Sequence, residues 1–245
     1  MAERSIHELE SNATAVAHKA LALPLKAAID VLNLATRLQA NDTSAQKLSK
    51  ATLVRLLLLQ RIQNDLRVCV ILVEHGYPLQ ALTQAAGIFE AWVTIANIKT
   101  EDDAAKWLSH AKENESFGRI RPLTKQALEN IDGDAKYADK MYSQYQQLCL
   151  PKHLNPIVER SRGYELDGNA VQFRPGPDTS ELAIRHGWYA LERASRFANL
   201  ALFTIAHSQE TSPDLHLELV AQQTALNALQ DESAKRWPDN YPAQS

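Results

Sequence analysis

Apolar residues recur along this chain at intervals of three and four, the period of an α-helix with one face turned to a core. The pattern predicts helices over about 5–23, 24–39, 44–75 and 100–114, and one opened by Pro78 that carries Leu79, Leu82, Ala86, Phe89, Val93 and Ala96 on one stripe. Pro24 and Pro78 suit first helical turns, and Asn41-Asp42-Thr43-Ser44 supplies capping oxygens. Gly76 stands where a glycine just past a helix end is expected. Thr100-Glu101-Asp102-Asp103 makes an acidic first turn, which the helix dipole favours. Residues 117–122 read as a loop, 123–131 as a short helix, and 134–150 as a helix stopped by Pro151. Asp178 and Glu181 open a core helix over about 179–207, and Ser212-Pro213 caps an amphipathic helix ending near Trp237. Tyr164-Glu165-Leu166 and Val171-Gln172-Phe173 flank Asp167-Gly168-Asn169, a hairpin signal. The expected fold is all-α: a multi-helix bundle of long antiparallel helices forming a single domain over 1–245. One small β-hairpin is inserted at about 163–174, and a C-terminal amphipathic helix covers about 212–237.

Composition narrows the function classes. Only 8 glycines in 245 residues disfavours turn-rich β structure. A net charge of −3 argues against a generally basic surface that coats nucleic acid. From Lys152 to Arg196, seven Lys/Arg face six Asp/Glu, an excess too small to mark an RNA-binding face by itself. Cys69 and Cys149 lie 80 residues apart, neither a disulfide framework nor a zinc spacing. Cys69 falls on an apolar stripe and reads as a core residue. The N-terminus is too polar for a secretory signal, and every apolar run is shorter than a membrane span. These readings describe a reduced, cytoplasmic protein without a membrane partner. Phosphate-loop, dinucleotide-loop, zinc-protease and nucleophile-elbow motifs are absent, as are the paired Glu-x-x-His motifs of di-metal bundles. No metal and no cofactor are expected.

The polar residues inside apolar runs are the candidates for chemistry. Arg55 sits among Leu53, Val54, Leu56, Leu57, Leu58 and Leu59, a run that reads as a helix buried on nearly every side. A buried guanidinium needs a carboxylate or carbonyls, and Glu90, within Ile88-Phe89-Glu90-Ala91-Trp92-Val93, is the natural partner for Arg55 or Arg61. Thr83, Gly87, Glu90, Thr94 and Asn97 form a small, polar stripe that would let another helix approach. Glu90 is then either an acid, base or ligand in an inter-helix pocket, or half of a structural ion pair. Arg61 and Asp65 are spaced for a surface salt bridge. Tyr142, Tyr145 and Cys149 share a helix face, with His153 and Asn155 in the proline-bounded segment that follows. Arg185, Tyr189, Glu192 and Arg196 share another face, on which Glu192 is spaced to bridge Arg185 and Arg196, with Arg193 beside it.

Two patches carry a family resemblance. Arg61-Ile62-Gln63-Asn64-Asp65-Leu66-Arg67, Glu74-His75-Gly76-Tyr77, Ala81 and Phe89-Glu90-Ala91 form the first; Tyr145-Gln146-Gln147-Leu148-Cys149, His153 and Asn155 form the second. Together they resemble a bacterial all-helical family of uncharacterised function, loosely related to abortive-infection and HEPN-like proteins, over about half of the chain. The resemblance implies a helical bundle with an RNA or nucleotide ligand and a role in defence or stress. It departs from that pattern at Ala86, where members often carry an arginine. The ribonuclease spacing of an arginine four to six residues before a histidine is also missing, since Arg67 and His75 are separated by seven. The expectation is an inter-helix cleft with Glu90, His153 and Arg61 as catalytic candidates and Arg55, Arg67, Tyr145 and Asn155 as ligand-binding candidates. The competing expectation is a non-catalytic interaction module, a homodimer or a scaffold for another protein, that uses the C-terminal amphipathic helix.

Overall fold

The local sequence signals lead to nine α-helices among the described residues. The computed structural model describes residues 5–42, 48–113, 118–131, 133–153, 164–167, 170–173, 176–208 and 213–237. Helices α1 (Ile6–Ala20), α2 (Ala22–Asp42) and α3 (Lys50–Glu74) are followed by α4 (Pro78–Asn97) and α5 (Glu101–Glu113). After α6 (Ile120–Asn130), a 3-10 turn (Ala135–Tyr137) leads into α7 (Ala138–Cys149) and a second such turn (Leu150–His153). The bundle closes with α8 (Glu181–Ser208) and α9 (Pro213–Arg236). Tyr164–Asp167 and Ala170–Phe173 are extended and antiparallel, with Tyr164 opposite Phe173. Two four-residue strands without a third form no layer, so the architecture is all-α.

Capping explains the boundaries. Ser5 and Glu8 form a reciprocal capping box at α1. Ser49 caps α3 by accepting from Thr52 N, and the Glu101 carboxylate accepts from Lys50 N and Ala51 N at 3.1 Å each. α3 thus starts six residues later than periodicity suggests, with 43–47 outside the described residues. Residues 120–122, read as loop, are the first turn of α6, where Pro122 loses no hydrogen bond. Gly76 ends α3 with φ +83°, and a methyl group there would lie 2.6 Å from Pro177 Cβ. Gly76→Ala is therefore expected to cost about 2–4 kcal/mol, from left-handed strain plus overlap. A thermal melt checks it; a change under about 0.5 kcal/mol would mean that the junction relaxes freely.

α4 and α8 are the two central helices, and their mutual packing is the most extensive in the bundle, followed by α3 on α4. Phe89, Trp92 and Phe197 meet edge-on or stacked at the centre, each fully buried. α6 and α7 cover another side of α4, while α2 and α9 cover α8.

Two expectations are corrected. The Leu53–Leu59 stretch is not buried all round: Val54, Leu58 and Leu59 face the core, whereas Leu53 and Leu57 are 47% and 52% exposed. α3 has neighbours on its inner face only, so part of its apolar excess points outward. The C-terminal helix does not keep its apolar face for a partner. Leu215, Leu219, Leu226 and Leu229 of α9 are buried within the bundle, which packs α9 on α2 and α8. None of the described helices is long and apolar enough to cross a membrane.

Candidate functional site

Between Ala81 and Ile98, α4 is buried everywhere except at Thr83, Gln84, Gly87, Glu90, Thr94 and Asn97. The small, polar stripe is thus where solvent reaches the central helix, rather than a seat for another backbone. α3 supplies one wall of this opening. Arg61 and Asp65 reach over Gly87, where a methyl group would lie 3.5 Å from Asp65 Oδ2 and 3.6 Å from Arg61 Nη2. Arg61 Nε is 3.4 Å from Asp65 Oδ2. Burial pushes the Asp65 carboxyl up, and the Arg61 guanidinium offsets part of that rise.

α7 and the turn after it supply the other wall. Tyr145 Oη donates to Glu90 Oε1 at 2.8 Å, and its ring stacks on Phe89 at 5.0 Å, which fixes the phenol over the carboxylate. The Leu150–His153 turn packs on α4 and brings Lys152 Nζ within 4.0 Å of the same Glu90 oxygen. Tyr142, partly exposed, lies 6.0 Å from Tyr145, with the Arg121 guanidinium 6.0 Å from its ring. Burial and the hydrogen bond to Glu90 hold the Tyr145 phenol far above its ordinary range, so it stays protonated and donates. Cys149 is buried beside it. Burial raises the thiol, a hydrogen bond with Tyr145 and the Lys152 charge offset the rise in part, and Glu90 adds to it. A protonated, enclosed thiol is a poor nucleophile. Formal charges along the stripe cancel, with Arg61 and Lys152 against Asp65 and Glu90.

The structure therefore brings Glu90, Tyr145 and Arg61 to one stripe and leaves other candidates elsewhere. The buried Arg55–Glu90 pair is replaced by a different contact. Arg55 donates from Nε to the Ile98 carbonyl at 2.8 Å, and from Nη2 to the same oxygen, at the C-terminal end of α4. That carbonyl has no helical partner and sits at the negative end of the helix dipole, so it receives the guanidinium well. Burial lowers the Arg55 pKa, with Asp103 opposing. Arg61 likewise pairs with Asp65, not Glu90. Arg67 is exposed on the outward side of α3. His153 closes the 3-10 turn, but its side chain and all of Asn155 lie outside the described residues. Among the described residues, no group of three His, Cys, Asp or Glu side chains could hold a metal ion.

The polar face of the 179–207 core helix forms a second, buried cluster. Glu192, only 3% exposed, accepts from Arg196 Nε at 2.9 Å and lies 3.1 Å from Arg193 Nε. Arg193 continues to Gln144, Tyr189 to Gln147, and Arg196 to Asn227 and the Leu226 carbonyl. These bonds tie α8 to α7 and α9. The available signal was the set of small residues around Glu192, namely Ala190, Ala194, Ser195 and Ala198, which lets neighbours approach on several sides. The chain matches no protein-family model, no curated protein and no solved structure.

Proposed function

We propose that the open stripe of α4 binds a nucleotide, free or within single-stranded RNA, in an HEPN-like helical bundle that serves bacterial defence or stress responses. The observation that carries this reading is Glu90. It is the one charged residue of α4, it remains partly exposed on a helix otherwise turned to the core, and it is held by the Tyr145 hydroxyl. A fixed carboxylate accepts hydrogen bonds from the amino and imino groups of a base edge, and an adjacent aromatic such as Tyr142 offers a stacking face. Lys152 and Arg61 stand on either side for phosphate or sugar oxygens. The balanced charge of the stripe favours recognition of a base over non-specific capture of a phosphate backbone. The reading is of binding without cleavage, because the arginine–histidine spacing of the ribonucleases is missing.

Titration calorimetry with mononucleotides and short single-stranded RNAs tests it. Glu90→Gln should leave the fold within about 1 kcal/mol of wild type, since an amide oxygen still accepts from Tyr145. It should weaken binding roughly 10- to 100-fold, the worth of a hydrogen bond to a charged group. Wild type that binds no nucleotide at millimolar concentration, or a folded Glu90→Gln that binds as well as wild type, would overturn the proposal.

A further inference from the structure

The outward face of α3 carries a pattern that the bundle uses only at its last position, where Glu74 lies 3.0 Å from His18 Nε2 of α1. Lys50, Leu53, Leu57, Gln60, Asn64, Arg67, Ile71 and Glu74 follow one another at alternating steps of three and four, which defines a single stripe of heptad seam positions. All are exposed apart from Glu74, which is partly so. Any solvent-facing stripe of a helix has that spacing, so the residue types matter more. Leu53, Leu57 and Ile71 lie on the seam and Val68 beside it, each more than a third exposed. They form two short apolar patches, Leu53 with Leu57 and Val68 with Ile71, separated by the amides of Gln60 and Asn64.

We infer that this face is the contact between two copies of the chain, packed antiparallel about a two-fold axis level with Ile62. That arrangement sets Lys50 opposite Glu74 of the second copy and Leu53 opposite Ile71 of the second copy. Leu57 then meets the aliphatic stem of Arg67 with Val68 alongside, and Gln60 meets Asn64. Each pair occurs twice, as a two-fold contact requires. At both ends Lys50 would share Glu74 with the His18 that already holds it, apolar pairs follow, and amides meet at the centre, where registers shifted by a heptad would leave them facing Leu53, Leu57 or Ile71. A parallel pairing in register would instead oppose Lys50 to Lys50, Arg67 to Arg67 and Glu74 to Glu74. The charge pattern therefore selects the antiparallel form. Arg61 and Asp65 stand just inside the seam, so the second copy would border the α4 stripe.

One helix pair of 25 residues, about 38 Å long, falls at or below the ordinary size of a stable interface. The dimer should form in the micromolar range. Light scattering on the full chain, from about 1 to 200 µM, should show a mass rising from 27.3 kDa toward twice that value. Leu57→Glu should hold the mass at one copy while melting as wild type does, because the side chain is exposed. Orientation is read by oxidation. Leu53→Cys combined with Ile71→Cys should give a covalent dimer, whereas Leu53→Cys alone should not, since its two copies would lie about 27 Å apart along the seam. The native Cys69 and Cys149 are both buried and should not compete. A wild-type mass of one copy throughout, a dimer that survives Leu57→Glu, or efficient cross-linking through Leu53→Cys alone would each overturn the inference.

Discussion

Glu192→Ala is expected to destabilise the protein by about 3–5 kcal/mol, because it leaves a buried guanidinium without its counter-charge. Arg193 is 8% exposed at its side chain and Glu192 3%, so water cannot take over the lost contact. Arg196 keeps Asn227 and the Leu226 carbonyl, which makes Arg193 the group that suffers. For a chain of this size the loss amounts to a fall in Tm on the order of 10 °C. Chemical denaturation of wild type and variant checks it. A loss below about 1 kcal/mol would mean that solvent enters the cluster. Replacing Glu192 and Arg193 together by apolar residues of similar size should cost less than Glu192→Ala alone, since the Arg193 charge goes with its partner and Arg196 keeps Asn227 and the Leu226 carbonyl.

Phe89→Ala should cost a comparable ~3–5 kcal/mol, the usual range for truncating a fully buried aromatic. The ring contacts Trp92, Phe197 and Tyr145 at once, so the cavity opens where α4, α7 and α8 meet. This substitution also carries a functional consequence that Glu192→Ala does not. Tyr145 would lose the ring it stacks on, and Glu90 a firmly placed donor. At a temperature where the variant is still folded, nucleotide binding should therefore weaken along with stability. Phe89→Leu should cost about 1 kcal/mol and retain most of the binding, since it keeps most of the volume. If Phe89→Ala and Phe89→Leu proved equally stable, the aromatic cluster would not be the centre of the core.

The sequence readings that held are those decided within a turn or two of helix. The apolar period located the helices. The glycine after α3 ends it as the chain chemistry requires, and Cys69 lies fully buried on the stripe that pointed inward. Glu90 was singled out as a charge among apolar neighbours and Tyr145 as sharing a helix face with Tyr142 and Cys149, and they prove to be hydrogen-bonded to one another. The failures share one cause. Arg55 was assigned to Glu90 because both interrupt apolar runs, yet periodicity does not say how far each helix is rotated about its axis when two helices meet. Arg55 instead lies at the end of α4, level with Ile98.

Burial of polar groups was the other blind spot. Leu53 and Leu57 looked interior and are exposed; Glu192, spaced to bridge Arg185 and Arg196, is buried together with Arg193. Hydrophobicity records what a residue prefers, whereas burial depends on how many neighbours surround its helix. The sequence by itself determined where the helices run and which of their stripes are apolar, because those follow from backbone geometry and local side-chain chemistry. Only the tertiary structure decided that α4 and α8 stand at the centre and α3 at the edge. That placement strands a Glu192–Arg193 pair inside, opens the α4 stripe to solvent between α3 and α7, and leaves leucines of α3 facing out. The physical reason is that packing is settled by contacts between residues distant in the chain, whose pairing no local period encodes.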